Sequence, residues 1–72
     1  MMEMWKRIRD LSNLNFPLVE NSVYHIRIVE GINHDTGQDV YEEYLVIWKN
    51  GVFVGVVTDD VFEWDDVDDI LI

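Results

Sequence analysis

VYEEYLVIWKNGVFVGVVT, residues 40–58, is the stretch on which the fold turns. Apolar residues run on both sides of Asn50-Gly51, the strongest short-range hairpin signal, because both central positions of such a turn need positive φ. A two-residue turn fixes the register, so neighbours across the hairpin follow directly. Trp48 is expected opposite Phe53, Val46 opposite Gly55 and Tyr44 opposite Val57 on one surface. Ile47 opposite Val54 and Leu45 opposite Val56 form the other. The strands should cover 40–49 and about 52–58. Both surfaces are apolar, so both need covering, by the C-terminal segment, another subunit or a partner protein.

Working outward, residues 22–30 alternate as a further strand, with Tyr24, Ile26 and Ile28 on one side and His25 and Arg27 on the other. Residues 33–37 are rich in types that tolerate unusual backbone angles and read as a turn. Residues 3–13 have the spacing of a short amphipathic helix, with Met4, Ile8 and Leu11 on one stripe and Trp5 beside it. Pro17 forbids its continuation.

Residues 60–71 admit two readings. As a helix, Asp59 or Asp60 caps it, Glu63 completes a capping box, and Val61, Trp64, Val67 and Leu71 share a stripe. Repulsion among Asp65, Asp66, Asp68 and Asp69, the last two near the negative end of the helix dipole, opposes this. The alternative continues residues 58–64 as strand and gives a small barrel-like sheet. The expected fold is α+β: an N-terminal helix, a three-stranded antiparallel meander, and a C-terminal acidic helix or irregular segment.

The chain of 72 residues forms one domain, residues 1–72, with no room for a second core. Eleven Val, seven Ile and no Ala bias it toward strands. Without cysteine there is no disulfide scaffold, thiolate zinc site or cysteine nucleophile. No run reaches the length of a membrane span, and the N-terminus lacks the apolar centre of a signal peptide, so a cytoplasmic location is expected.

Five bases against fifteen acids give a net charge of −10, unfavourable for docking on nucleic acid or anionic lipid. The charge is local. Residues 1–15 carry a net +1, 16–58 a net −4, and the last fourteen a net −7. That asymmetry points to a protein partner. Asp59, Asp60, Glu63, Asp65, Asp66, Asp68 and Asp69, with Trp64 as anchor, are the candidate partner-binding residues. On a helix rising 1.5 Å per residue they would present about one charge per 3 Å, close to the spacing of a nucleic-acid single strand. A solvated acidic face is the plainer explanation of the same residues.

Other constellations are weaker. Asp35-Thr36-Gly37 matches the triplet of retroviral-type aspartic proteases, but its surroundings read as a turn with Gly37 at positive φ. His25 and His34 form no metal-ligand pattern, and 65–69 lacks the alternation and glycine of a calcium loop. No catalytic residue, metal or cofactor is expected. Lys6, Arg7 and Arg9 balance the chain's own acids.

The expected function is therefore a non-catalytic inhibitor whose carboxylates occupy the basic, nucleic-acid-binding site of a target protein. In size and charge alone the chain resembles small acidic proteins of bacteriophages and mobile elements that block such enzymes. Two alternatives stand beside it. One is an assembly module dimerising through the hairpin face of Tyr44, Trp48 and Phe53. The other is an immunity or antitoxin protein against a basic nuclease.

Overall fold

The computed structural model describes residues 4–14 and 18–72, the side chains of 12–14 apart. Its elements are β1 (Trp5–Arg7), α1 (Ile8–Leu14), β2 (Val23–Ile32), β3 (Asp39–Lys49), β4 (Val52–Gly55), β5 (Val61–Phe62), a single 3-10 turn (Trp64–Asp66) and β6 (Asp69–Leu71). The strands form one antiparallel sheet in the order β1-β6-β2-β3-β4-β5. The protein is thus mostly antiparallel sheet, with one short helix in place of the expected pair.

The hairpin forms in the expected register near its turn. Lys49 pairs with Val52, Trp48 with Phe53, Ile47 with Val54 and Val46 with Gly55. Asn50 and Gly51 both take positive φ, 52° and 81°. Further out the expectation fails. β4 stops at Gly55, and Tyr44 packs against Phe62, with ring centroids 4.8 Å apart, while Val57 is 86% exposed. The cause is a tight reversal over 56–60. Gly55 donates its amide to the Asp60 carbonyl at 2.7 Å, and Asp59 has φ of 59°. A Cβ on Gly55 would lie 2.8 Å from the Thr58 hydroxyl and 3.3 Å from the Asp60 nitrogen. Glycine is what lets the chain fold back so closely.

β2 and the turn after it follow the sequence. Tyr24, Ile26 and Ile28 share a face, and Ile26 is fully buried. Asn33 Oδ1 accepts from the amides of Asp35 and Thr36, and Gly37 has φ of 72°. The Asp35-Thr36-Gly37 triplet is therefore the exposed tip of an Asx-type turn.

Both ends of the chain depart from expectation. The N-terminal helix covers only its second half, Ile8–Leu14, and still buries Ile8 and Leu11 as its stripe requires. Trp5–Arg7 instead pair with β6. The expected start before residue 4 and the stop at Pro17 lie outside the described residues. At the C-terminus no helix forms. Val61 and Phe62 pair with β4, and residues 69–71 pair with both β1 and β2. The link between β5 and β6 starts beside β4 and ends beside β2, so it crosses the sheet.

That crossing lies on the same side as α1. Trp64 stacks on Phe53 at 6.0 Å and meets Trp48 edge-on at 5.7 Å, and Val67 is buried. With Ile8, Leu11, Ile26, Val46, Phe53 and Ile70 it closes one core on one side of the sheet. Among the described residues, both segments outside the sheet that cover it, α1 and the crossing, lie on that side. The outer face keeps Val23, Leu45, Val56 and Val61 at 43–60% exposure.

Candidate functional site

The C-terminal acids do not form a row. Asp69 is buried and accepts from Arg27 Nε at 2.8 Å. Asp68 accepts the Val29 amide at 2.7 Å through Oδ2, while its own amide donates to the Arg27 carbonyl. Asp66 Oδ2 accepts the Glu63 amide at 3.1 Å and closes the 3-10 turn. Three of the charges expected to face a partner are thus engaged with the chain itself. Glu63 and Asp65 are exposed, and Asp59 and Asp60 sit in the exposed reversal after β4. Trp64 is half-buried against the core, an anchor for the segment as expected, within an irregular crossing.

These contacts explain why the helix loses. A helix would set the four aspartates against one another and against its own dipole, each a penalty of a few tenths of a kcal/mol. The extended path gives each of three carboxylates a donor. A hydrogen bond to a charged group contributes about 1.5–3 kcal/mol, several times the repulsion avoided.

The N-terminal bases lie near these acids. Arg7 and Arg9 share with Asp39, Asp65, Asp68 and Asp69 the walls of an open groove of about 640 Å³. The negative excess therefore appears elsewhere. Glu30 is the extra residue of a bulge between Val29 and Gly31, Glu42 lies on β3, and Asp60 follows β4. All three act on the Tyr44 hydroxyl. Its pKa is raised above the usual 10.0, first by partial burial and then by Glu42, Glu30 and Asp60. Sequence reading takes in Glu42, with Asp35, Asp39 and Glu43, only as an extension of the C-terminal acidic field if it shares that side. It passes over Glu30, whose one signal is its sign.

Among the described residues, only Glu43 and Asp69 have a basic nitrogen within 4.0 Å, from His25 and Arg27 respectively. The acids around Tyr44 have none. Removing them should lower the Tyr44 pKa. In a Tyr24→Phe/Tyr41→Phe background, Glu30→Gln/Glu42→Gln/Asp60→Asn should bring phenolate absorbance in at lower pH than the parent. An unmoved titration would mean that the three carboxylates do not share this site. The sign for stability follows. A raised folded-state pKa favours the neutral phenol, so this contribution is present below pH 10 and is lost as pH rises past it.

The proposed dimer face of Tyr44, Trp48 and Phe53 belongs to the core side. Phe53 is fully buried, and Tyr44 and Trp48 are half-buried against Phe62 and Trp64. What stays open is the opposite surface, where Arg27 lies between two rings, 4.4 Å from Trp5 and 4.1 Å from Tyr41.

No family model matches the chain, and neither a curated protein nor a solved structure matches it. No described helix is long and apolar enough to cross a membrane.

Proposed function

We propose that this protein is a non-catalytic acidic binding protein that inhibits its target by occupying a basic, nucleic-acid-binding surface. One observation carries the reading: Glu42 on β3, Glu30 in the β2 bulge and Asp60 beside Gly55 belong to three separate segments, and all three raise the pKa of the Tyr44 hydroxyl. None has a base in salt-bridge range among the described residues. A patch held by a sheet bulge, a strand and a tight reversal is more rigid than a charged tail. Such fixed like charges attract a basic partner from a distance and are screened by salt. The composite patch takes the place of the single helical row, and Asp59 and Glu63 extend it along the exposed C-terminal segment. A basic nuclease held by an immunity protein would use the same surface.

The test compares two baits, the parent chain and Glu30→Gln/Glu42→Gln/Asp60→Asn, in affinity capture from the native cell at low and high salt. The parent should retain a basic protein at low salt, release it at high salt, and displace nucleic acid from it once purified. The neutralised bait should lose most of that retention while keeping its circular dichroism. Equal capture by both baits, or a captured protein whose nucleic-acid binding is undisturbed, would end the proposal.

A further inference from the structure

The outer face of the sheet has an order that strand register makes readable. Across β2 and β3 the outward residues pair as Val23 with Ile47, His25 with Leu45, Arg27 with Glu43 and Val29 with Tyr41. The first row continues through Val54 to Val61 on β5, apolar across four strands. The second runs the other way through Leu71 to Trp5. The third alternates in sign as Arg7, Asp69, Arg27, Glu43.

We infer that this face is the contact between two copies of the chain, packed sheet on sheet about a twofold axis that runs parallel to the strands between β2 and β3. In such an isologous contact, if residue i of one copy meets j of the other, then j meets i. An axis between β2 and β3 sets each outward residue over its own register partner from the second copy. Val23 then meets Ile47, Leu45 meets His25, and Arg27 meets Glu43, all compatible in shape or sign. A row of one sign would repel itself under the same operation. Aligned sheets pack within about 30° of each other, which keeps these rows in register near the axis.

Arg27 supports the second copy as occupant. Asp69 takes its Nε, and Trp5 and Tyr41 hold its guanidinium from either side. Its terminal amino groups have no hydrogen-bond acceptor among the described residues. Among the described residues Glu43 has only His25, at 4.0 Å. Joining Arg27 to Glu43 of the second copy satisfies both, twice per dimer. The contact is small. β2 and β3 run its full length, about 20 Å from Val23 to Val29 at about 3.3 Å per residue, but the flanking strands have two to four residues each. With about 4.8 Å between strands, two copies bury roughly 800 Å², the size of a weak, reversible dimer.

The inference stands apart from the acidic-patch reading, since Glu30, Glu42 and Asp60 are not on these rows. Sedimentation equilibrium of the full chain at tens of micromolar tests it. The parent should sediment at twice its 8.6 kDa. Leu45→Lys should sediment as a monomer with unchanged far-ultraviolet circular dichroism. Glu43→Lys, which sets like charges together across the axis, should weaken the dimer at least about tenfold. Val57→Lys, in the exposed reversal, should leave it intact. Should Leu45→Lys fail to fold, Glu43→Lys at an exposed position decides the matter alone. A monomeric parent, or a dimer indifferent to Glu43→Lys, would overturn the inference.

Discussion

Phe53→Ala should remove about 3–5 kcal/mol of stability, the range for deleting a fully buried aromatic ring. A domain of this length has about 4–11 kcal/mol in all, at 0.05–0.15 kcal/mol per residue. The variant should therefore lose a large part of its stability and unfold at a much lower denaturant concentration. Phe53 is fully buried at the point where three packing directions meet. It pairs with Trp48 across the hairpin at 4.8 Å, lies opposite Phe62 on β5, and carries Trp64 of the crossing segment on its face. Its loss leaves the crossing without its seat, so the cavity should not close easily. Chemical denaturation followed by tryptophan fluorescence measures this, because Trp48 and Trp64 flank the ring. A loss below about 1.5 kcal/mol would mean that the crossing segment is not held through Phe53.

The second large effect concerns Arg27 and Asp69. Their side chains are 25% and 10% exposed, and they join β2 to β6, strands that are 42 residues apart at this pair. Removing one partner of such a pair leaves a buried charge without compensation, which typically costs 3–5 kcal/mol. Arg27→Leu should cost about 3 kcal/mol, since Asp69 is left nearly buried and the stacking between Trp5 and Tyr41 is also lost. Arg27→Leu/Asp69→Leu should recover most of that loss, because an ion pair replaced by apolar groups of similar volume is often neutral. Thermal unfolding of both variants checks the sign. A double variant no more stable than Arg27→Leu would show that the pair contributes more than it costs in desolvation.

Legibility from sequence varied along the chain for physical reasons. The Asn50-Gly51 turn, the alternation of β2 and the burial of Ile8 and Leu11 depend on local backbone preference and on period, both written in consecutive residues. The helical readings of the two ends failed at residues 5–7 and 60–71 because the stripes of Met4, Ile8 and Leu11 and of Val61, Trp64, Val67 and Leu71 suit helical spacing, while strand pairing depends on partners far away in the chain. The alternative of strand over 58–64 holds at Val61 and Phe62. Residues 5–7 and 69–71 are strands because each supplies the other's hydrogen bonds. Neither segment carries that fact alone. Gly55, a glycine in an apolar strand, was the available signal that β4 ends early.

The candidate site divides in the same way. Sequence by itself determined the net charge, its concentration toward the C-terminus and a hairpin apolar on two sides. Those properties are sums over residue types and alternation along one strand. Only the tertiary structure decided which acids remain free. It ties Asp66, Asp68 and Asp69 to donors, and it sets Glu30, Glu42 and Asp60 where all three raise the Tyr44 pKa. It also decided which face of the hairpin stays open, because α1 and the crossing segment cover the same side. That choice depends on where β5 and β6 pair in the sheet, a matter of contacts between residues distant in the chain.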